Sequence, residues 1–197
     1  MVTLIISDIY GHTANLDAFA NELSGEVVIC SPYVSKQPVR QKDESIIYEQ
    51  FVNTIGHDGY MAKVERSIAN LRPDLIIGFS AGAVAAWRAL AQLKGKLPHK
   101  LIGFYPGQIR NYLHIHPKCP VDLYFPHQES HFELTPVIQT LKKISWVSCT
   151  RTRYSHGFMN ALSNHFNKYA YLHYTHLCEQ QVITLQQSLE QEQIEVD

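Results

Sequence analysis

The sequence predicts an α/β domain: a doubly wound, mostly parallel sheet of about six to seven strands with helices on both faces. Three observations carry this. Short β-rich runs alternate with longer segments of helical period. Those runs are continuously apolar, as strands covered on both faces must be. The chain has 197 residues, 45% hydrophobic and 18% charged, a composition that supports one globular domain over 1–197 with a substantial core.

The elements follow in order. Met1-Val2-Thr3-Leu4-Ile5-Ile6-Ser7-Asp8 reads as a strand, at 3–7, that begins almost at the first residue. It lacks a basic flank and is too short and β-branched for a signal peptide. A helix is expected at 13–23 and a strand at 26–30. A helical stretch over 44–71 is expected to break near Gly56 and Gly59. Strands at 75–79, 101–105, 121–125 and 145–149 are joined by helices at 81–93 and 134–142. The segment 158–190 reads as one helix or two, with Val182, Leu185 and Leu189 at heptad-like spacing. An amphipathic stripe of this kind is expected to pack on the sheet; contact with a partner helix, as in a homodimer, is its alternative use.

Composition narrows the function. The net charge is −1 and the pI about 6.8, so no basic excess exists to hold a phosphate backbone and no nucleic-acid partner is expected. No apolar run approaches the ~20 residues that span a bilayer, so no membrane span is expected. Cys30, Cys119, Cys149 and Cys178 are widely spaced and include no Cys-x-x-Cys pair. That pattern suits reduced thiols and a cytoplasmic location. His114-Ile115-His116, with His127 and His131 nearby, raises metal binding, since His-x-His on a strand would turn both rings to one side. No third ligand follows at zinc-like spacing, so neither metal nor cofactor is expected.

The chemistry centres on Gly78-Phe79-Ser80-Ala81-Gly82. A buried strand precedes this G-x-S-x-G and a helix of good formers follows it, the context in which the motif raises a serine above a sheet. The turn is sharp, so Gly78 and Gly82 must be small. Ser80 then sits at a helix N-terminus, where negative charge is favoured.

A serine needs a base, and an acid to orient that base. His156, in Tyr154-Ser155-His156-Gly157-Phe158, follows the last strand at the carboxyl edge of the sheet. Glu129 is the only carboxylate in the loop Pro126-His127-Gln128-Glu129-Ser130-His131-Phe132 that follows the preceding strand. Two backbone N–H groups are expected to receive an oxyanion: that of Ala81, just after the nucleophile, and that of Ile9, in the loop after the first strand. Asp8 stands beside that loop, either hydrogen-bonding near the nucleophile or capping a helix turn.

With these pieces placed, the chain resembles the dienelactone hydrolase family over nearly its whole length. Asp8-Ile9-Tyr10-Gly11 is similar to the family's acidic-Ile-Phe-Gly loop, and Ser31-Pro32-Tyr33 falls where members carry Pro-Asp-Leu. Gly103-Phe104-Tyr105-Pro106-Gly107 resembles the Gly-Tyr-Tyr-Gly strand end. Gln128-Glu129-Ser130-His131-Phe132 resembles the acid loop, and His156-Gly157-Phe158-Met159 the histidine segment. The resemblance implies a compact α/β-hydrolase fold and a hydrolase acting on a small-molecule ester or thioester.

Three departures qualify it. The nucleophile is serine where the founding enzymes carry cysteine. The acid loop has Glu for Asp and one added residue, Ser130. Asn160 stands where the family's arginine holds a substrate carboxylate, which argues against dienelactone itself. These departures lend weight to a second reading, a weak or inactive member that serves as a binding module. The pocket is expected between loops 32–60 and 106–118, with Tyr33, Tyr60, Arg110, Tyr112 and His114 among its candidate walls.

Overall fold

Five apolar residues in a row leave no polar face for water, and all of β3 (Leu75–Phe79) is buried. Its neighbours are β1 (Val2–Ile6) on one side and β4 (Lys100–Phe104) on the other. In the computed structural model, which describes residues 1–36 and 43–194, six strands pair in the order β2-β1-β3-β4-β5-β6, with every pairing parallel. The remaining strands are β2 (Glu26–Cys30), β5 (Val121–Phe125) and β6 (Val147–Arg151).

Side-chain alternation divides the core into two layers. Ile5, Leu75, Ile77, Phe79, Ile102 and Phe104 face one layer, closed by α1 (Ala14–Asn21) and α6 (Lys168–Ile194). Leu4, Ile6, Ile76, Leu101, Val121 and Leu123 face the other. That layer is covered by α2 (Glu44–Thr54), α3 (Gly56–Leu71), α4 (Ala81–Gln92) and α5 (Leu134–Leu141). The break expected near Gly56 and Gly59 falls at Ile55, with Gly56 at φ +62°.

Two elements lie away from their expected places. The last strand starts at Val147, two residues late, because residues 142–146 form a turn in which Ile144 N–H bonds to Leu141 and Val147 N–H to Ile144. The terminal helix begins only at Lys168. Between Gly157 and Asn167 short polar side chains capture backbone N–H groups: Asn160 that of Leu162, Ser163 that of His165, and Asn167 that of Ala170 at the start of α6. Such local bonds compete with a helix until the last of them caps one. Two residues of the stripe expected on this helix pack on the sheet: Val182 is buried, along with Ala170, Tyr174 and Cys178, and Leu185 packs against the same cluster, which Leu189 does not join.

His114 and His116 lie in an exposed loop rather than on a strand. No group of three histidine, cysteine or acidic side chains among the described residues is placed to hold a metal ion. No helix among them is long and apolar enough to cross a membrane.

Strand order reverses between β1 and β3. The loops leaving these two adjacent strands therefore diverge and open a crevice at their carboxyl ends.

Candidate active site

Ser80 is the hinge between β3 and α4. Its backbone sits at φ 48° and ψ −115°, a region that costs a non-glycine residue of order 1–3 kcal/mol. The neighbours on both sides force the turn. A Cβ on Gly82 would run into the carbonyl oxygens of Ser7 and Ile6, and one on Gly78 would stand 2.7 Å from Ala83 Cα. Ser80 N–H donates to the Phe104 carbonyl at 2.9 Å, which fastens the hinge to β4.

His156 meets Ser80 from the far side of the crevice. Its Nε2 lies 3.0 Å from Ser80 Oγ, and its Nδ1 lies 2.9 Å from Glu129 Oε1. The Glu129 side chain is only 10% exposed, so this contact is shielded from bulk water. Gly107 makes room for it, since a Cβ there would lie 3.1 Å from Glu129 Oε1 and 3.7 Å from His156 Cε1. The loops that carry Glu129 and His156 are tied to each other: His127 N–H donates to the Tyr154 carbonyl at 2.7 Å, and Arg151 Nε to the His127 carbonyl at 2.7 Å. The added Ser130 is accommodated without moving Glu129 out of reach.

The loop after β1 forms the opposite wall. Asp8 Oδ1 accepts from Tyr10 N–H at 2.9 Å and the Tyr33 hydroxyl donates to the Ile9 carbonyl at 2.8 Å, so the Ile9 peptide is held from both sides. Neither the Ile9 N–H nor the Ala81 N–H meets an acceptor among the described residues. Ala81 is the first residue of α4, and the N–H groups of a first turn have no partner within their helix.

Asp8 is buried, and its other oxygen accepts from Asn160 Nδ2 at 2.7 Å. Burial pushes its carboxyl up from 3.8 to about 6, against the opposing pull of the bonds from Asn160 and Tyr10 and of nearby His156. It caps no helix; the cap of α1 is Thr13.

Of the expected pocket walls, Tyr33 braces the loop after β1. Tyr60 is buried beneath it and donates to the Ser7 carbonyl at 2.8 Å. Arg110 bonds the Gly107 carbonyl and lies over the Phe132 ring, while the Tyr112 ring packs under Arg88. His114 is exposed. Residues 37–42 of the 32–60 loop lie outside the described residues.

Two contributors were not singled out by the sequence alone. Tyr105, at φ 40°, puts its ring 4.9 Å from the His156 ring. Gly107 supplies the space for Glu129. Their signal was a short residue cluster after a strand end, which marks a functional turn without saying what the turn accommodates.

An all-parallel sheet with a strained serine at the strand–helix hinge beside the switch point is the α/β-hydrolase fold. Solved structures with this fold include several of the dienelactone hydrolase type. A dienelactone hydrolase-like promiscuous phosphotriesterase from metagenomic libraries superposes with a TM-score of 0.64 at 12% identity, over 93% of this chain and 86% of that one. A dienelactone hydrolase from Anabaena variabilis gives 0.59 at 14%, over 91% and 83%. An α/β-superfamily hydrolase from Xanthomonas campestris pv. campestris gives 0.60 at 10%, over 89% and 95%. In sequence, the chain is 27% identical over 180 residues to the uncharacterised protein YczH of Bacillus subtilis (strain 168), covering 85% of each. No family model matches the chain.

Proposed function

We propose that the protein is a serine hydrolase that cleaves a carboxylic ester or thioester through an acyl-enzyme. The observation that carries this reading is the line Ser80 Oγ, His156 Nε2, His156 Nδ1, Glu129 Oε1, with contacts of 3.0 and 2.9 Å at a strained hinge. Ser80 Oγ attacks the carbonyl carbon as His156 Nε2 takes its proton. Glu129 accepts from Nδ1–H, fixing the tautomer that leaves Nε2 free to act as base, and it steadies the imidazolium that forms. The Ile9 and Ala81 N–H groups receive the oxyanion as it develops. His156 returns the proton to the leaving alcohol or thiol, and then deprotonates the water that releases the acid.

Asn160 replaces the family's carboxylate-binding arginine, so dienelactone itself is not the expected substrate. A reducing, cytoplasmic setting belongs to the same reading, supported by four cysteines that are all buried and free.

A fluorophosphonate probe tests the proposal. Native protein should label stoichiometrically at Ser80, with no labelling of heat-denatured protein or of Ser80→Ala. Native protein that stays unlabelled, or Ser80→Ala that retains full esterase activity, would sink it.

A further inference from the structure

Asp8, Tyr105 and Asn160 line the crevice at Ser80 and His156, and they also line a second, inner cleft behind it. The inner cleft runs toward the start of α1 between Leu16, Phe19, Phe79 and Met159, with a cavity volume of about 30 Å³. That exceeds the ~10–15 Å³ one water needs and admits a methyl-sized group.

Its chemistry is one-sided. Among the described residues, Asp8 is the only charged side chain lining the inner cleft, and neither cleft is lined by lysine or arginine; Arg40 and Lys42 lie outside the described residues. The crevice at the nucleophile adds a second carboxylate, Glu44. Each Asp8 oxygen accepts one hydrogen bond, from Tyr10 N–H or Asn160 Nδ2. An ionised carboxylate has about four lone-pair sites, so acceptor capacity is left.

Tyr105 is 1% exposed, and among the described residues its hydroxyl makes no hydrogen bond of good geometry, although the Met159 backbone lies within reach of it. A buried hydroxyl of this kind is satisfied by an ordered water or by a ligand atom. Phe19 and Phe79 pack edge to face at 5.4 Å along the same wall.

We propose that the inner cleft is a subsite for a small ammonium group carried by the substrate, held by the Asp8 carboxylate, the Tyr105 hydroxyl oxygen and the rings of Phe19 and Phe79. An ammonium donates three hydrogen bonds and accepts none, matching the acceptors offered by Asp8 and Tyr105. Aromatic walls add cation–π attraction. An anion is the opposite alternative, because the first turn of α1 borders the cleft. That turn is already answered by Thr13, which caps Leu16 N–H, and by Asp17. The amide of Asn160 is oriented by Leu162 N–H on its Oδ1, so that Nδ2 faces Asp8. Asp8 is thereby held in place without being neutralised.

The inference rests on Ser80 as nucleophile, and the test separates the two. The wild-type protein is assayed on methyl butyrate, β-alanine methyl ester and monomethyl succinate, which place a methyl, an ammonium or a carboxylate at one position. In kcat/KM the β-alanine ester should exceed the butyrate ester by about tenfold or more, with the succinate ester poorest. Asp8→Asn and, separately, Tyr105→Phe should shrink the ratio of β-alanine to butyrate ester; being a ratio, it is insensitive to partial loss of folded enzyme. Asn160→Arg, which gives Asp8 a cation, should abolish it.

If butyrate ester is turned over through Ser80 as fast as β-alanine ester, the subsite is refuted and the hydrolase reading stands. If no ester is turned over, titration of β-alanine methyl ester by calorimetry decides. Binding that Asp8→Asn removes upholds the subsite and fails the hydrolase reading, and no binding overturns both.

Discussion

Glu129 owes its position to a glycine on another strand's loop. The carboxylate reaches His156 Nδ1 because position 107 has no side chain. Replacing the charge while keeping the shape isolates its contribution: Glu129→Gln should lower kcat by about 10²- to 10⁴-fold with little change in melting temperature, since an amide no longer enforces the productive tautomer. Steady-state kinetics beside a thermal melt reads both.

Asp8 carries a stability signature of its own. Its folded-state pKa is raised to about 6 from 3.8 by burial, so as pH rises the unfolded chain releases this proton first. Asp8 therefore subtracts stability increasingly between about pH 4 and 6, and the full penalty persists above that. The stability of Asp8→Asn relative to wild type should thus improve across this window, by at most about 3 kcal/mol. Urea unfolding at pH 4 and pH 7.5 measures the change; a difference that is the same at both would contradict the burial argument.

The elements show where sequence reading succeeds. β2, β3 and β5 occupy the residues expected of them, because each is predominantly apolar, interrupted only by Glu26 in β2 and Asp122 in β5, and has a sharp end. β6 does not. Half of it faces outward as Ser148, Thr150 and Arg151, and apolar Ile144 and Trp146 in the turn before it resemble a strand more than its own end does. The unlinked residues of the site were legible through chain order, Ser80 then Glu129 then His156. Tyr105 and Gly107 were not, since their roles are spatial: a ring beside an imidazole and an empty volume beside a carboxylate. α6 was legible as a stripe but not in its start, which Asn167 sets by capping.

That stripe is expected to matter for stability. Tyr174 is buried against Phe104, Tyr124 and Phe158. Tyr174→Ala should cost about 3–5 kcal/mol, as large-to-small changes in packed aromatic clusters do. Denaturant titration gives the value, and a loss below ~1 kcal/mol would mean that α6 is peripheral to the core.

For the whole molecule, the order β2-β1-β3-β4-β5-β6 distributes the site unevenly across the sheet. Ser80 and the Ile9 loop follow central strands, each paired on both sides. Glu129 and His156 follow β5 and β6, and β6 is an edge strand that pairs only with β5. Edge strands open at lower free energy than central ones. Amide hydrogen exchange should therefore find 126–133 and 152–160 exchanging well before β1 and β3 in mild denaturant, with catalytic activity falling in step with the faster set. The protein would then pass through a state in which Ser80 still stands on an intact sheet but has lost its contact with His156. Such a state could recover activity by re-zipping one strand, without refolding the core.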